Sequence, residues 1–249
     1  YQPKLDLGTG SISGVEALLR WNHPVHGAIS PDQFVPLAEK TGMISEIGAW
    51  TLNKACRQMQ QWRSDSVAIE SVAVNVSAFQ LTSPCFFDTV RDALDRYDLE
   101  PSDLMLEITE SAAMRNPELT LVMLRKLASL GVAISLDDFG VGHSSLAHLK
   151  QLPVCELKID RGFIRDIEND PEDIAIVLAI IALARATNLK VVAEGVETAG
   201  QQALLAEIGC EAIQGYLIGR PSPPDDIAAI ASSYEAKRKN FEVSFTRDE

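Results

Sequence analysis

Short apolar segments alternate with longer, helix-like segments from one end of this chain to the other. The short segments are rich in aliphatic and β-branched residues, a composition that predicts buried strands. The predicted strands are residues 1–7, 13–21, 71–78, 103–110, 132–139, 156–163, 189–196 and 211–218.

Several helix starts are marked by a capping residue followed by proline. The cap side chain accepts a backbone N–H, and proline at the first helical position has no N–H to leave unpaired. The predicted starts are Ser30-Pro31, Ser83-Pro84, Asn116-Pro117 and Asp170-Pro171, with Thr198 as a further cap. Gly131 and Gly209 are predicted helix ends, where a left-handed residue closes the helix.

The order strand, helix, strand, helix predicts parallel strand pairing with right-handed crossovers. About eight such units fit into the chain, which is the size of a (β/α)8 barrel of the TIM type. A doubly wound open sheet is the alternative, but no G-x-G-x-x-G follows the first strand. We therefore predict an α/β barrel that occupies residues 1–249 as a single domain.

The longest apolar run, Ile174 to Ala184, is too short for a membrane helix, which needs about 20 residues. It predicts a buried helix instead. Tyr1 stands directly before a strand-like segment, so we expect the chain to be part of a longer signalling protein. The domain itself is expected in the cytoplasm without membrane contact, with any anchor in the part that precedes it.

The composition excludes one large class of partner. A formal net charge of −13 disfavours binding to polymeric nucleic acid, which requires clustered lysine and arginine. A small anionic ligand remains compatible with this charge, because a bound metal reverses the local potential. The four cysteines show no metal-binding spacing, and we expect them to be small buried residues in a reducing compartment.

Polar residues interrupt nearly every predicted strand toward its C-terminal end. Barrel enzymes build their active sites at that face. Each residue alone has a structural explanation: Asn75 as a turn cap, or Lys158 as a partner of Asp160. Together they predict a site, because several converging carboxylates are costly to bury without a cation. The set comprises Glu16, Asn75, Glu107, Asp137, Asp138, Lys158, Glu194 and Gln214.

The chemistry of this set points to a hard divalent cation. Its candidate ligands are oxygen atoms, and no histidine lies at a predicted strand end, so Mg²⁺ or Mn²⁺ is favoured over zinc. The adjacent Asp137 and Asp138 suggest two ions, with Asp137 bridging them. Paired ions about 3.5–4 Å apart suit in-line displacement at phosphorus.

Eight short motifs, in order, cover nearly the whole chain. They read YQPKLDL, GVEALLRW, VNVSA, LEITES, DDFGVGHSSL, LKIDRGFI, VAEGVET and IQGYLIGRP. In these motifs the chain resembles the EAL-domain family, the cyclic di-GMP phosphodiesterases. The resemblance implies a barrel whose first strand runs antiparallel to the others. It also implies Mg²⁺- or Mn²⁺-dependent hydrolysis of one phosphodiester of cyclic di-GMP, giving the linear dinucleotide pGpG.

The resemblance also implies a role for individual residues. For the first ion the implied ligands are Glu16, Asn75, Glu107 and Asp137, and for the second Asp137 and Asp138. Glu194 resembles a metal-linked residue or a base that positions the attacking water. Lys158 resembles a contact to the water or the scissile phosphate, and Gln214 a hydrogen-bond partner near the water. Glu110 resembles a residue that holds the loop after Asp138, while Gln2 and Arg20 resemble ligand contacts.

The chain departs from the family pattern in two places. Val141 and His143 replace a threonine and a tyrosine, so we expect altered tethering of their loop and altered turnover. Ile218 and Gly219 replace an aromatic and a small polar residue, so we expect weaker guanine contacts. The family also implies a homodimer through residues 142–152, to which Leu146 and Leu149 could add apolar contacts, although core packing explains them equally well.

Two further functions compete with the phosphodiesterase. A module that binds cyclic di-GMP without cleaving it would keep the ligand pocket but lack metal ligands, whereas every expected acid is present here. Acids and a lysine at barrel strand ends would also suit an enolate-forming lyase. The family motifs favour the phosphodiesterase over both.

Overall fold

The computed structural model describes the backbone of residues 1–141 and 146–245, and their side chains except those of 146–147 and 239–245. Within this part of the chain there are ten strands. They are β1 (Gln2–Asp6), β2 (Ile12–Ala17), β3 (Trp21–His23), β4 (Gly27–Ile29), β5 (Val72–Asn75), β6 (Leu104–Thr109), β7 (Ala133–Phe139), β8 (Glu156–Ile159), β9 (Lys190–Ala193) and β10 (Ala212–Gln214).

Eight of these strands close into a barrel, in the order β1-β10-β9-β8-β7-β6-β5-β2. The remaining two, β3 and β4, form a separate antiparallel hairpin. All eight predicted strands are present, so the predicted α/β barrel is confirmed and the open sheet is wrong. The predicted segment 156–163 was too long, because the strand ends at Ile159 and a 3-10 helix, Arg161–Phe163, follows.

The strand β1 runs antiparallel to both of its neighbours, β2 and β10, while the other barrel strands pair in parallel. This confirms the reversed first strand that the family resemblance implied. The reversal has a geometric consequence. Gln2 stands at the start of β1 but pairs with Glu16 near the end of β2, so it lies at the same mouth as the C-terminal ends of the other strands.

Ten α-helices in the described residues surround the barrel or cover its ends. They are α1 (Pro31–Thr41), α2 (Ile44–Ser64), α3 (Ala78–Leu81), α4 (Phe86–Arg96), α5 (Glu110–Arg115), α6 (Pro117–Leu130), α7 (Leu146–Leu149), α8 (Pro171–Thr187), α9 (Ala199–Glu207) and α10 (Pro224–Phe245). In the described part of the chain, no helix is both long and apolar enough to cross a membrane.

The predicted helix caps are only partly correct. Asp170 accepts from the Glu172 N–H at 2.8 Å, and Thr198 accepts from the Gln201 N–H at 3.0 Å. Ser30 and Asn116 directly precede their helices without a side-chain capping bond. The Ser83-Pro84 prediction is wrong, because α4 begins at Phe86. The chain first makes a turn there, in which the Phe86 N–H reaches the Ser83 carbonyl at 3.2 Å.

Gly131 ends α6 as predicted. Its φ of +102° is in the region that favours glycine, and its N–H reaches the Ala128 carbonyl at 3.0 Å. The second predicted end, Gly209, has a φ of +84° but lies two residues beyond the end of α9 at Glu207.

Two burial predictions need correction. The apolar run in α8 is not fully buried, since Ile176 and Leu178 are 38% and 43% exposed. One face of this helix packs on the barrel through Val177, Ile180, Ile181 and Ala184. Of the cysteines, Cys56 and Cys210 are buried, but Cys85 and Cys155 are exposed. Hydrophobic composition predicted that α8 and the cysteines are buried. The tertiary structure decided which face of α8, and which two cysteines, are in the core.

Charged side chains from non-adjacent strands meet inside the barrel. Lys4 Nζ on β1 lies 2.7 Å from Glu156 Oε1 on β8 and 3.9 Å from Glu107 Oε1 on β6. Because other strands separate these three, the contacts cross the barrel interior. Burial would lower the pKa of Lys4, but the charges of Glu156 and Glu107 raise it above its usual value. The buried lysine therefore stays charged and requires Glu156.

We predict that Lys4→Met destabilises the protein by about 3–5 kcal/mol, because it leaves Glu156 buried without its partner. The double variant Lys4→Met/Glu156→Leu removes both charges and should recover most of that loss. Urea unfolding of the wild type and the two variants measures the difference. A single variant as stable as the wild type, or a double variant no better than the single, would contradict the prediction.

Candidate active site

The predicted polar residues gather at one mouth of the barrel. Strand β2 supplies Glu16, β5 Asn75, β6 Glu107, β7 Asp137, β8 Lys158 and β10 Gln214, and Glu194 directly follows β9. Each is the last or nearly the last inward position of its strand. The sequence folds this way because apolar neighbours such as Leu106, Ile108 and Leu157 are fully buried among the hydrophobic core residues, which turns the alternate positions into the barrel.

Lys158 is at the centre of this group, with no exposed side-chain surface. Its Nζ lies 2.6 Å from Glu194 Oε1 and 2.8 Å from Glu107 Oε2. Asp137 Oδ1 and Glu16 Oε2 follow at 3.4 and 3.6 Å. One ammonium group thus faces four carboxylates from four different strands or strand ends. The alternative partner considered for Lys158, Asp160, is not among its ion pairs in the described residues.

Two amides hold Glu16 in place. Asn75 Nδ2 donates to Glu16 Oε1 and Gln214 Nε2 donates to Glu16 Oε2, both at 2.6 Å. Gln214 Nε2 is also 3.3 Å from Gln2 Oε1, and Gln2 Nε2 donates to the Gly219 carbonyl at 3.1 Å. Asn75 therefore contacts the site directly rather than merely capping a turn.

Three carboxylates form a compact cluster on the outer side of Lys158. Asp137, Asp138 and Glu194 each offer one oxygen, and these atoms lie within 4.8 Å of one another. Asp138 has a φ of +54°, uncommon for a residue other than glycine. This conformation breaks the strand alternation, so that two consecutive aspartates both belong to the cluster.

The pKa directions reflect the shared burial of these groups. Burial raises the pKa of Glu107 well above its usual value, against the attraction of Lys158. Burial likewise raises the pKa of Glu194 to about 7, again opposed by Lys158. For Lys158, burial would lower the pKa, but Glu107, Glu16 and Glu194 raise it well above the usual range. The lysine is therefore firmly protonated.

Glu16 differs from its acidic neighbours. Burial would raise its pKa, but Lys158 and the hydrogen bonds from Gln214 and Asn75 lower it below the usual value. The pKa of Asp138 is raised by burial and by the nearby charges of Asp137 and Asp160. At the mouth, Glu16 is thus stabilised as an anion. Glu107, Asp138 and Glu194 have raised pKa values, because nearby positive charge does not offset their burial.

The donor set fits hard divalent cations. The compact cluster offers only carboxylate oxygens, which Mg²⁺ and Mn²⁺ prefer. In addition, Glu107 Oε1 is buried with no hydrogen-bond partner among the described residues. This oxygen lies 3.9 Å from Lys4 Nζ, too far for a hydrogen bond, so it could still accept a contact from a cation.

Other predicted site residues lie at the edge of this group or outside it. Glu110 begins α5 and is buried. The loop that it was predicted to hold includes residues 142–145, among them His143, and these lie outside the described residues. Arg20 is exposed and donates to the Leu19 carbonyl at 2.9 Å. The structure does not bring Arg20 into contact with the acids.

The two positions that depart from the family pattern near the end of the chain make contacts within the protein. Ile218 is 6% exposed and belongs to the core, and the Gly219 carbonyl accepts from Gln2. In the predicted dimer segment, Leu149 is also buried in the core, while the side chain of Leu146 lies outside the described residues. Core packing therefore accounts for Leu149, and the dimer stays a prediction.

Sequence reasoning missed one charged layer and one cleft. Lys4 and Glu156 form a buried ion pair below the site. Each lies two positions from a predicted site residue in the same strand, Lys4 from Gln2 and Glu156 from Lys158, so strand alternation could have placed both inside the barrel. A cleft of about 910 Å³ opens beside Asn75. Its wall combines apolar side chains with the charged residues Arg20, Asp32, Glu39 and Arg115.

Comparison with known proteins identifies one family. The family model described as "EAL domain" matches residues 1–221. The chain is 56% identical to the bifunctional diguanylate cyclase/cyclic di-GMP phosphodiesterase MucR of Pseudomonas aeruginosa. The 229 aligned residues cover 92% of this chain and 33% of MucR. It is 46% identical to the cyclic di-GMP phosphodiesterase NbdA of the same organism, with 96% and 30% covered. The chain thus spans about a third of the length of these relatives.

Solved structures agree with this result. A structure titled "PaMucR Phosphodiesterase, c-di-GMP complex" has a TM-score of 0.87 and 56% identity, covering 91% of this chain and 92% of that one. The EAL domain of Mycobacterium smegmatis DcpA has a TM-score of 0.77 and 34% identity, covering 94% of each chain.

We predict that Lys158→Met destabilises the protein by at least about 3 kcal/mol, because four carboxylates lose the ammonium that they share. Lys126→Met, at an exposed position of α6, is the matched control and should change the free energy of unfolding by less than about 0.5 kcal/mol. Denaturant unfolding of both variants in metal-free buffer measures this. Equal effects of the two substitutions would show that Lys158 does not balance the buried acids.

Proposed function

Because this chain belongs to the EAL domain family, we propose that it is a phosphodiesterase that hydrolyses cyclic di-GMP to the linear dinucleotide pGpG with the help of Mg²⁺ or Mn²⁺. Two curated relatives carry cyclic di-GMP phosphodiesterase in their names, and a similar solved structure is a cyclic di-GMP complex. The observation that carries the proposal is the convergence of Asp137, Asp138 and Glu194 beside Lys158 at the barrel mouth.

The charge at the mouth supports two divalent ions. When ionised, the carboxylates of Glu16, Glu107, Asp137, Asp138 and Glu194 outnumber the single ammonium of Lys158 by four charges. Two divalent cations would neutralise this excess. In our proposal Asp137 and Asp138 would hold one ion, and Glu16, Asn75, Glu107 and Asp137 would hold the second.

The reaction requires a water molecule to attack phosphorus while the bond from phosphorus to the leaving 3′ oxygen breaks. When bound, the divalent cations supply positive charge that offsets the phosphodiester and activates the water. The water loses one proton to a base on the protein, and the leaving 3′ oxygen takes up one proton. The product is the linear dinucleotide with a 5′-phosphate.

Glu194 is the base in this proposal. Burial raises its pKa to about 7, in the range where a carboxylate both accepts and releases a proton near neutral pH. Lys158, 2.6 Å away, fixes the orientation of Glu194 and provides a permanent charge close to the phosphate. Gln214 and Asn75 hold the Glu16 carboxylate through both of its oxygens, so this ligand is already oriented before ions bind.

The cleft beside Asn75 supplies room for the rest of the ligand. Asn75 belongs both to the acid group and to the cleft wall, so a cyclic dinucleotide with its phosphate at the mouth can extend a base into the cleft. The volume of about 910 Å³ suits a ligand of this size. Arg20, exposed on that wall, is available for a phosphate.

We further propose that the whole chain forms one domain. The family model ends at residue 221, but α10 follows directly and packs against β1 and β2. Its Ile227 and Ala231 are buried in the common core. These contacts support the proposal that the last helix completes the barrel rather than starting a separate unit.

We expect the purified chain to convert cyclic di-GMP to the linear dinucleotide when Mn²⁺ or Mg²⁺ is added, and to lose this activity with excess chelator. Chromatography of the nucleotides measures the product. Glu194→Gln should reduce kcat by about 10²–10⁴, because the base is lost, with cyclic di-GMP binding kept. Binding of cyclic di-GMP without any linear product would instead identify a sensor module.

We expect Asp137→Asn to weaken Mn²⁺ binding at least about tenfold, because it removes one carboxylate of the cluster, which our proposal assigns to both ions. Asp166→Asn, an exposed aspartate paired with Arg165, is the matched control and should leave Mn²⁺ binding unchanged. Calorimetric titration of metal-free protein gives both affinities. Unchanged binding in Asp137→Asn would remove Asp137 from the metal site.

A further inference from the structure

An arginine that no sequence motif identified stands on the wall of the cleft. Arg115 ends α5, and its guanidinium carbon lies 4.5 Å from the centroid of the Phe79 ring on α3. A cation over an aromatic face is attracted to the ring, so Phe79 fixes where the Arg115 guanidinium stands. Phe79 itself is 39% exposed, which places the pair at the surface of the mouth rather than in the core.

Within the part of the chain that the structure describes, the N–H groups of Arg115 have no competing partner. Among the described residues no acidic group forms an ion pair with Arg115, and its side chain donates no hydrogen bond. Some exposed arginines of this acidic chain do form such ion pairs, as Arg91 does with Asp88 and Asp92. Arg115 is thus held by a ring while its five donors stay available to the cleft.

The cleft wall also carries acceptors. Asp32 and Glu39, both from α1, line the same cleft as Arg115. The wall therefore offers a fork of donors from one side and carboxylate acceptors from another. A guanine base matches this combination, because its O6 and N7 accept from arginine while its N1 and N2 groups donate. Adenine presents its N6 donor where guanine presents O6, so its N6/N7 edge cannot accept two N–H groups from one arginine.

We propose that Arg115 is a specificity-determining residue that donates to the O6 and N7 edge of one guanine of the cyclic dinucleotide, with Phe79 as its positioning residue. This inference rests on the proposed function, since it places the base of that same ligand. Phosphate and metals fix the reacting end at the mouth, and Arg115 selects the base in the cleft. The predicted effect is therefore on substrate binding and on the choice of base, and the chemical step stays unchanged.

Steady-state hydrolysis by Arg115→Met tests this. We expect KM for cyclic di-GMP to rise about tenfold, the size of one lost bidentate contact, with kcat within about twofold of the wild type. KM for cyclic di-AMP should not change, so that preference for guanine falls by the same factor. Phe79→Leu should shift KM in the same direction by less, because the guanidinium stays but is no longer fixed.

Arg57→Met, at an exposed arginine of α2 outside the cleft, is the matched control and should leave both KM values unchanged. Unfolding of each variant by urea confirms that the fold is kept. If Arg115→Met gives the same KM as Arg57→Met, or raises KM for both nucleotides equally, the inference is overturned.

Calorimetric binding of cyclic di-GMP to the metal-free protein separates this inference from the proposed function. A wild type that binds but does not hydrolyse would overturn the phosphodiesterase alone, and a Kd raised about tenfold in Arg115→Met would still support the role of Arg115. A wild type that neither binds nor hydrolyses cyclic di-GMP would overturn both. Binding with equal Kd in the wild type and Arg115→Met would overturn the inference alone.

Discussion

The ion pairs of Lys158 are the interaction on which the barrel mouth depends. Four carboxylates from separate strands lie between 2.6 and 3.6 Å from one fully buried ammonium. Without it, like charges at low dielectric would repel, and the strand ends could not keep these side chains directed inward. The same lysine does not fully compensate the acids, and burial still raises the pKa of Glu107 and Glu194. The mouth is thus stable enough to fold and still electrostatically suited to bind cations.

The reversed first strand shapes the interior in a way that a fully parallel barrel would not. Because β1 runs against its neighbours, its first inward residue, Gln2, reaches the mouth, and Lys4 lies one layer below. Lys4 then pairs with Glu156 across the barrel, and its Nζ also lies 3.9 Å from Glu107 Oε1. Lys158 and Lys4 therefore lie at successive depths inside the barrel, and each pairs with carboxylates from other strands. Buried ion pairs thus continue below the mouth.

The barrel mouth has two regions, and Asn75 contacts both of them. One is the acid layer, formed by Glu16, Glu107, Asp137, Asp138 and Glu194, and the other is the cleft. The acid layer concentrates negative charge and holds its groups by short hydrogen bonds, as an ion-binding centre requires. The cleft is larger, partly apolar and carries charges of both signs, as a site that recognises a nucleotide base requires. In the proposed function a single ligand occupies both regions, with a base in the cleft and a phosphate at the acid layer.

The sequence by itself determined the eight barrel strands and the residue types at their ends. Aliphatic runs bounded by turn and cap residues act locally, and a polar residue that interrupts such a run is visible without knowing its neighbours. The reversed β1 came from family resemblance, because strand direction depends on pairing and leaves no mark in residue composition.

Only the tertiary structure decided which of these groups touch. That Lys158 pairs with Glu194 rather than Asp160, that Lys4 meets Glu156, and that Arg115 stacks on Phe79 all depend on residues distant in sequence. Burial followed the same rule, since α8 exposes apolar residues that composition alone assigned to the core. Local patterns specify which elements form, whereas contacts between charges and the choice of buried face arise from how those elements close around the barrel.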